Sequence, residues 1–157
     1  MIRRFQWMMA TGLLLGMLLG PAMAEKEPLS PKQLRDTATH VVVGRVEQVF
    51  TRQEERDQYV YTRYVAEVRV DGLEKGDGYK QGDLMYVRYW VRRWIGPGNQ
   101  PPGTSGHDDF PTAGTTLRIY AARNAYDGFG DNTDGGFNVI GTNGFEAIKN
   151  AGAKPAK

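Results

Sequence analysis

The chain contains no cysteine. That excludes a disulfide framework and a lipidated cysteine, so its stability must come from an ordinary hydrophobic core. Its longest apolar run, Met8 to Leu19, falls short of the ~20 residues that a membrane-spanning helix requires. Arg3 and Arg4 precede this run, and Gly20-Pro21 and the small triplet Ala22-Met23-Ala24 follow it. That is the pattern of a secretory signal peptide occupying residues 1–24. The mature chain is expected to begin near Glu25, soluble and either periplasmic or secreted; an uncleaved N-terminal anchor is the alternative.

Catalytic signatures are equally sparse. Ser30 and Ser105 are the only serines after the leader, and neither sits in a G-x-S-x-G elbow. There is no nucleotide or cofactor fingerprint, so no catalytic residue, metal ligand or cofactor is assigned and the chain reads as non-enzymatic. A large charge of one sign is missing too. The leader holds two of the 20 basic residues and none of the 18 acidic ones, leaving 18 of each. The mature chain therefore gives no whole-molecule attraction to nucleic acid or anionic membrane, and any anion preference has to be local.

What is present is β-strand texture. Ser30-Pro31 reads as an N-cap followed by Pro at the first helical position, opening a brief helix through Leu34 and Arg35. Thr39 to Phe50 is β-branched, apolar on both faces at its start and not at its end, which suits a strand leaving a closed sheet near its rim. Thr51 to Gln58 reads as a charged connection. Tyr59 to Val70 then alternates, with Val60, Thr62, Tyr64, Ala66, Val68 and Val70 inward. After the turn-rich Asp71 to Gly82, a third strand from Asp83 to Ile95 turns Met85, Val87, Tyr89, Val91 and Ile95 inward.

Thr115 to Ala122 and Phe137 to Ile140 supply two more strands, with a possible helical turn through Phe145 and Ile148. No stretch between strands carries a helical apolar stripe long enough for a crossover. The expected fold is all-β: a single small five-stranded OB-like barrel over residues 25–149 with one or two short helices, and a flexible tail at 150–157. A β-sandwich is the alternative.

The runs A-T-H-V-V-V-G-R-V, R-Y-V-A-E-V-R-V-D-G-L-E-K-G, K-Q-G-D-L-M-Y-V-R-Y and A-G-T-T-L-R-I-Y-A lie between Ala38 and Ala122. In strand texture and turn placement they resemble secreted netrin-like domains of the tissue-inhibitor-of-metalloproteinases type. That resemblance implies an OB-fold barrel. The inhibitors of that group act through an N-terminal cysteine and are braced by disulfides, so it carries no functional residue over to a chain without cysteine.

Two polar clusters invite a metal or catalytic reading. His107, Asp108 and Asp109 end the Gly/Pro-rich loop from Trp94 to Gly114. Adjacent residues of an extended loop diverge, so the three alone cannot wrap a cation, and they are also ordinary turn formers. The acidic stretch Asp127 to Gly136 invites a calcium reading, but Gly130 and Gly141 fall where an EF-hand requires acidic ligands. A plain hairpin connection is the expected account, with a calcium loop of another type as the alternative.

The strongest candidate surface is the outward side of the second and third strands. Tyr59, Tyr61, Arg63 and Arg69 lie on one and Tyr86, Arg88, Trp90, Arg92 and Trp94 on the other. Such a face offers flat rings for stacking and guanidinium forks for carboxylate, sulfate or phosphate. The same residues can instead stack on one another and shield the sheet, or pack beneath the Trp94 to Gly114 loop. The expected function is an exported binding or adaptor module for a glycan, peptide or protein, with nucleic acid not expected. A small metal-dependent hydrolase using loop carboxylates and His107 is the alternative.

Overall fold

A computed structural model describes residues 27–103, 105–125 and 133–148. The expected leader (1–24), the tail (150–157) and residues 127–132 of the acidic connection lie outside them.

The helix α1 (Pro31–Thr37) forms where Ser30 and Pro31 place it, closed by a capping box in which the Ser30 side chain accepts from the Gln33 N–H. It buries Leu34 against Ala38, Val41, Tyr120, Ala122 and Ile140 on the outside of the sheet. Six strands follow: β1 (His40–Arg56), β2 (Tyr59–Lys75), β3 (Leu84–Trp94), β4 (Thr116–Arg123), β5 (Phe137–Val139) and β6 (Phe145–Ala147). The order is β1-β2-β3-β5-β4, and β4 pairs back onto β1, which closes a five-stranded barrel compatible with an OB-like fold. β3 and β5 run parallel; the other barrel pairings are antiparallel. No helix among the described residues is long and apolar enough to cross a membrane.

Alternation fills the barrel as the sequence implies. Ala66, Val68 and Val70 from β2, Met85, Val87 and Tyr89 from β3, and Leu117, Ile119 and Ala121 from β4 share one core with Val42, Val46, Phe137, Val139 and Phe145. Each fully buried aliphatic side chain stabilises this core by about 1.5–3 kcal/mol. Gly44 is where β1 closes the barrel, pairing with Val70 on one side and Leu117 on the other. A Cβ there would stand 2.6 Å from both the Arg69 carbonyl oxygen and Val68 Cγ1, so only glycine permits the approach.

Four expectations are corrected. The first half of the turn-rich Asp71 to Gly82 is strand: β2 runs on to Lys75, and Gly72, Leu73 and Lys75 pair with Val43, Val42 and Val41 of β1. Thr51 to Gln58 is not a connection: β1 runs through it to Arg56, and a two-residue turn at Asp57 and Gln58, both at positive φ (52° and 64°), returns directly into β2. The hairpin projects beyond the core, so its first strand has no apolar alternation to announce it, and pairing with β2 decides the conformation. Phe145 to Ala147 is a strand on β4 rather than a helical turn. Ile95, expected inside, lies past the end of β3 and is exposed.

A register shift between Val46 and Gln48 also reverses the parity of β1. Even-numbered Val42 and Val46 face the core, whereas beyond the bulge at Glu47 it is Val49 that packs against it. Phe50, Arg52, Glu54 and Arg56 are thereby turned outward.

Candidate functional site

The loop after β3 is a structural brace. Gly106 bridges to Val91, the His107 N–H donates to the Trp90 carbonyl at 2.9 Å, and the Asp108 N–H donates to the Thr142 carbonyl at 2.9 Å. The His107 ring is buried, with Nδ1 3.2 Å from the Trp90 nitrogen and Nε2 3.1 Å from the Val139 carbonyl oxygen. Nδ1 also lies 3.1 Å from the Trp90 carbonyl oxygen; in the neutral ring protonated on Nε2, Nδ1 accepts the Trp90 N–H and Nε2 donates to the Val139 carbonyl. Burial holds its pKa below the ordinary 6.5. Both ring nitrogens thus serve backbone groups, while Asp108 and Asp109 are exposed. Among the described residues no three His, Asp or Glu side chains are grouped to hold a metal ion. His40 is likewise engaged, with Nδ1 3.0 Å from Thr39 Oγ1 and Nε2 3.1 Å from the Asp77 carbonyl oxygen.

The outward side of the hairpin and β3 forms cross-strand rows. Successive rows read Phe50–Val65–Arg88, Arg52–Arg63–Trp90, Glu54–Tyr61–Arg92 and Arg56–Tyr59–Trp94, with Glu67 beside Tyr86 preceding them. The structure therefore brings Tyr59, Tyr61, Arg63, Tyr86, Arg88, Trp90, Arg92 and Trp94 onto one face. That face is not the open aromatic platform expected of it: Tyr59 and Tyr61 are 8% exposed and Trp90 5%. The Arg92 guanidinium lies 4.5 Å from the Tyr59 ring centroid, Arg56 lies 5.1 Å from that of Tyr61, and the Trp94 ring meets Tyr59 edge-on at 4.9 Å. The loop completes the cover, since the Arg92 N–H donates to the Ser105 carbonyl and Trp90 lies beneath Gly106 and His107. Tyr86 remains exposed, with its hydroxyl donating to Glu67 at 2.7 Å; that bond raises the phenol pKa.

What stays open is a groove of about 270 Å³ across the first two rows. Phe50, Arg52, Arg63, Val65 and Arg88 line it, and the Phe50 ring is 46% exposed. Arg88 is held in place by Asp134, its Nη2 lying 2.8 Å from both carboxylate oxygens. That guanidinium, with help from the Gly136 N–H, keeps the Asp134 carboxyl below its ordinary pKa of 3.8. Arg52, Arg56, Arg63, Arg88 and Arg92 outnumber Glu54, Glu67 and the Asp134 that pairs with Arg88, so a locally cationic surface sits on a chain of balanced charge. Guanidinium groups beside an apolar ring can grip an anionic group and an adjoining flat or apolar moiety together.

Of the expected residues, Arg63 and Arg88 line the groove. Phe50, Arg52 and Val65 were not expected there. Phe50 and Arg52 were hidden by the bulge at Glu47 and by the charged character of Thr51 to Arg56. The signal in the sequence is the aromatic and β-branched pair Phe50-Thr51 running straight into that charged stretch.

No protein-family model, curated protein or solved structure matches the chain. The site rests on its own geometry.

Proposed function

We propose that the protein is an exported, non-enzymatic binding module, periplasmic or secreted, whose outer β1–β2–β3 face grips an anionic group on a glycan, peptide or protein. The supporting observation is the groove that Arg52, Arg63 and Arg88 line together with Phe50, whose ring is exposed. The resemblance to netrin-like domains agrees with a secreted barrel of this kind and adds nothing about the ligand. Small barrels of OB type commonly bind polymers on the strands 2–3 face, where this groove lies. No observation among the described residues favours the alternative of a metal-dependent hydrolase, because His107 is occupied by the backbone on both nitrogens.

Charge-assisted hydrogen bonds contribute about 1.5–3 kcal/mol each, so removing one guanidinium should weaken an anionic ligand roughly tenfold or more. The test is titration of the purified protein with a polyglutamate peptide and, separately, with a sulfated polysaccharide. Binding that weakens with salt and falls at least tenfold in Arg52→Gln and Arg63→Gln supports the reading. Equal binding by these variants and the parent, or no binding of either probe at low salt, overturns it.

A further inference from the structure

The second half of β1 has a partner on one side only. Its ladder with β4 ends at the Arg45–Thr116 pair, whereas the ladder with β2 continues to Arg56–Tyr59. From Val49 to Glu55 the other edge of the strand pairs with no strand among the described residues, and Thr51, Arg52 and Gln53 are exposed.

The turn decides which backbone groups face that edge. In a two-residue hairpin the flanking residues, here Arg56 and Tyr59, are a hydrogen-bonded pair. Hydrogen-bonded and non-hydrogen-bonded pairs then alternate along the uninterrupted register. Phe50, Arg52, Glu54 and Arg56 therefore bond to β2. Val49, Thr51, Gln53 and Glu55 aim their N–H and C=O groups at the open edge.

Natural edges are commonly blunted by charge, which discourages a second strand from adding. This edge carries both signs in an order that reads as complementary when reversed: Phe50, Arg52, Glu54, Arg56. An antiparallel copy centred on Gln53 hydrogen-bonds Gln53 to its own counterpart and Thr51 to Glu55 of the second copy. Between these pairs, at the closer non-hydrogen-bonded positions, Arg52 meets Glu54 of the second copy and Phe50 meets its Arg56. Centring on Arg52 sets arginine against arginine. Centring on Glu54 sets glutamate against glutamate and Arg52 against Arg56. Only the Gln53 register among these satisfies backbone and charge together.

We infer that the open edge of β1 joins two copies of the chain in an isologous antiparallel dimer centred on Gln53. The pairing merges two outer faces into one continuous sheet and brings Arg56 of the second copy beside Phe50 at the groove.

Sedimentation equilibrium of the purified protein at micromolar concentrations tests the pairing without reference to any ligand. The expected result is the mass of two chains. Arg52→Glu and Glu54→Arg should each shift the equilibrium at least tenfold toward monomer, and the double variant Arg52→Glu/Glu54→Arg should recover the dimer. Gln53→Pro removes an N–H that β2 does not use, so it should give a monomer with an unchanged circular-dichroism spectrum. A monomeric parent protein, single charge variants that stay dimeric, or a double variant that fails to recover would each overturn the inference.

Discussion

The imidazole Nδ1 of His107 lies 3.2 Å from the backbone nitrogen of Trp90, 17 residues earlier in the chain. Nε2 of the same ring reaches the Val139 carbonyl oxygen at 3.1 Å. One side chain therefore ties β3 to β5, whose parallel ladder is only the Val87–Phe137 and Arg88–Asn138 pairs long.

This brace makes stability pH-dependent. Burial lowers the folded-state pKa of His107 below the 6.5 of the free side chain, so the unfolded chain takes up the proton first as pH falls. The stability contributed by the neutral ring is complete above about pH 6.5 and is lost as the pH drops through that value toward the folded pKa. Urea midpoints of the parent protein should decline over that window, and those of His107→Asn should decline less. At neutral pH the substitution should cost about 2–4 kcal/mol, through the orphaned Trp90 N–H and Val139 carbonyl and the lost packing. Parallel pH curves for the two proteins would exclude His107 as the titrating group.

Trp90 and Phe50 should separate packing from binding. Trp90→Ala removes a buried ring and should lower unfolding free energy by about 3–5 kcal/mol in urea titrations. Phe50→Ala touches an exposed ring and should stay within about 0.5 kcal/mol of the parent, while its affinity for the polyglutamate probe falls severalfold. Intact affinity in Phe50→Ala would remove that ring from the site.

Gly106 sits at φ +109°, and a Cβ there would stand 2.3 Å from the Trp90 carbonyl oxygen. Gly106→Ala should lift the loop from β3. Hydrogen exchange checks this directly: the amides of Arg92 and His107, which donate to Ser105 and Trp90, should exchange faster while those of Met85 and Val87 keep their protection.

The β1–β2 turn is strained in a correctable way. Gln58 holds φ 64°, a left-handed conformation that costs a side chain roughly 1–2 kcal/mol and that glycine adopts freely. Gln58→Gly should therefore stabilise the protein by about 0.5–1 kcal/mol, seen as a higher urea midpoint with an unchanged slope. A lower midpoint would mean that the turn is not under this strain.

The sequence by itself determined the helix at Pro31, the presence of five barrel strands and the inward set Met85, Val87 and Tyr89. These follow from local rules: a capping serine before proline, and side chains that alternate along an extended backbone. It also placed Arg63, Arg88 and Trp90 on a common outward face.

Tertiary structure alone decided which of those residues meet solvent. Trp90 is covered because the loop that follows β3 folds back over it and is tied at Val139 and Thr142 to a segment more than 30 residues further on, and Tyr59 and Tyr61 are covered by arginines from neighbouring strands. Phe50 and Arg52 entered the groove through the extra residue at Glu47, which reverses every later side chain of β1. Local alternation says that two faces exist, but a bulge or a docked loop is fixed by pairing with strands far along the chain, and no short stretch carries that information.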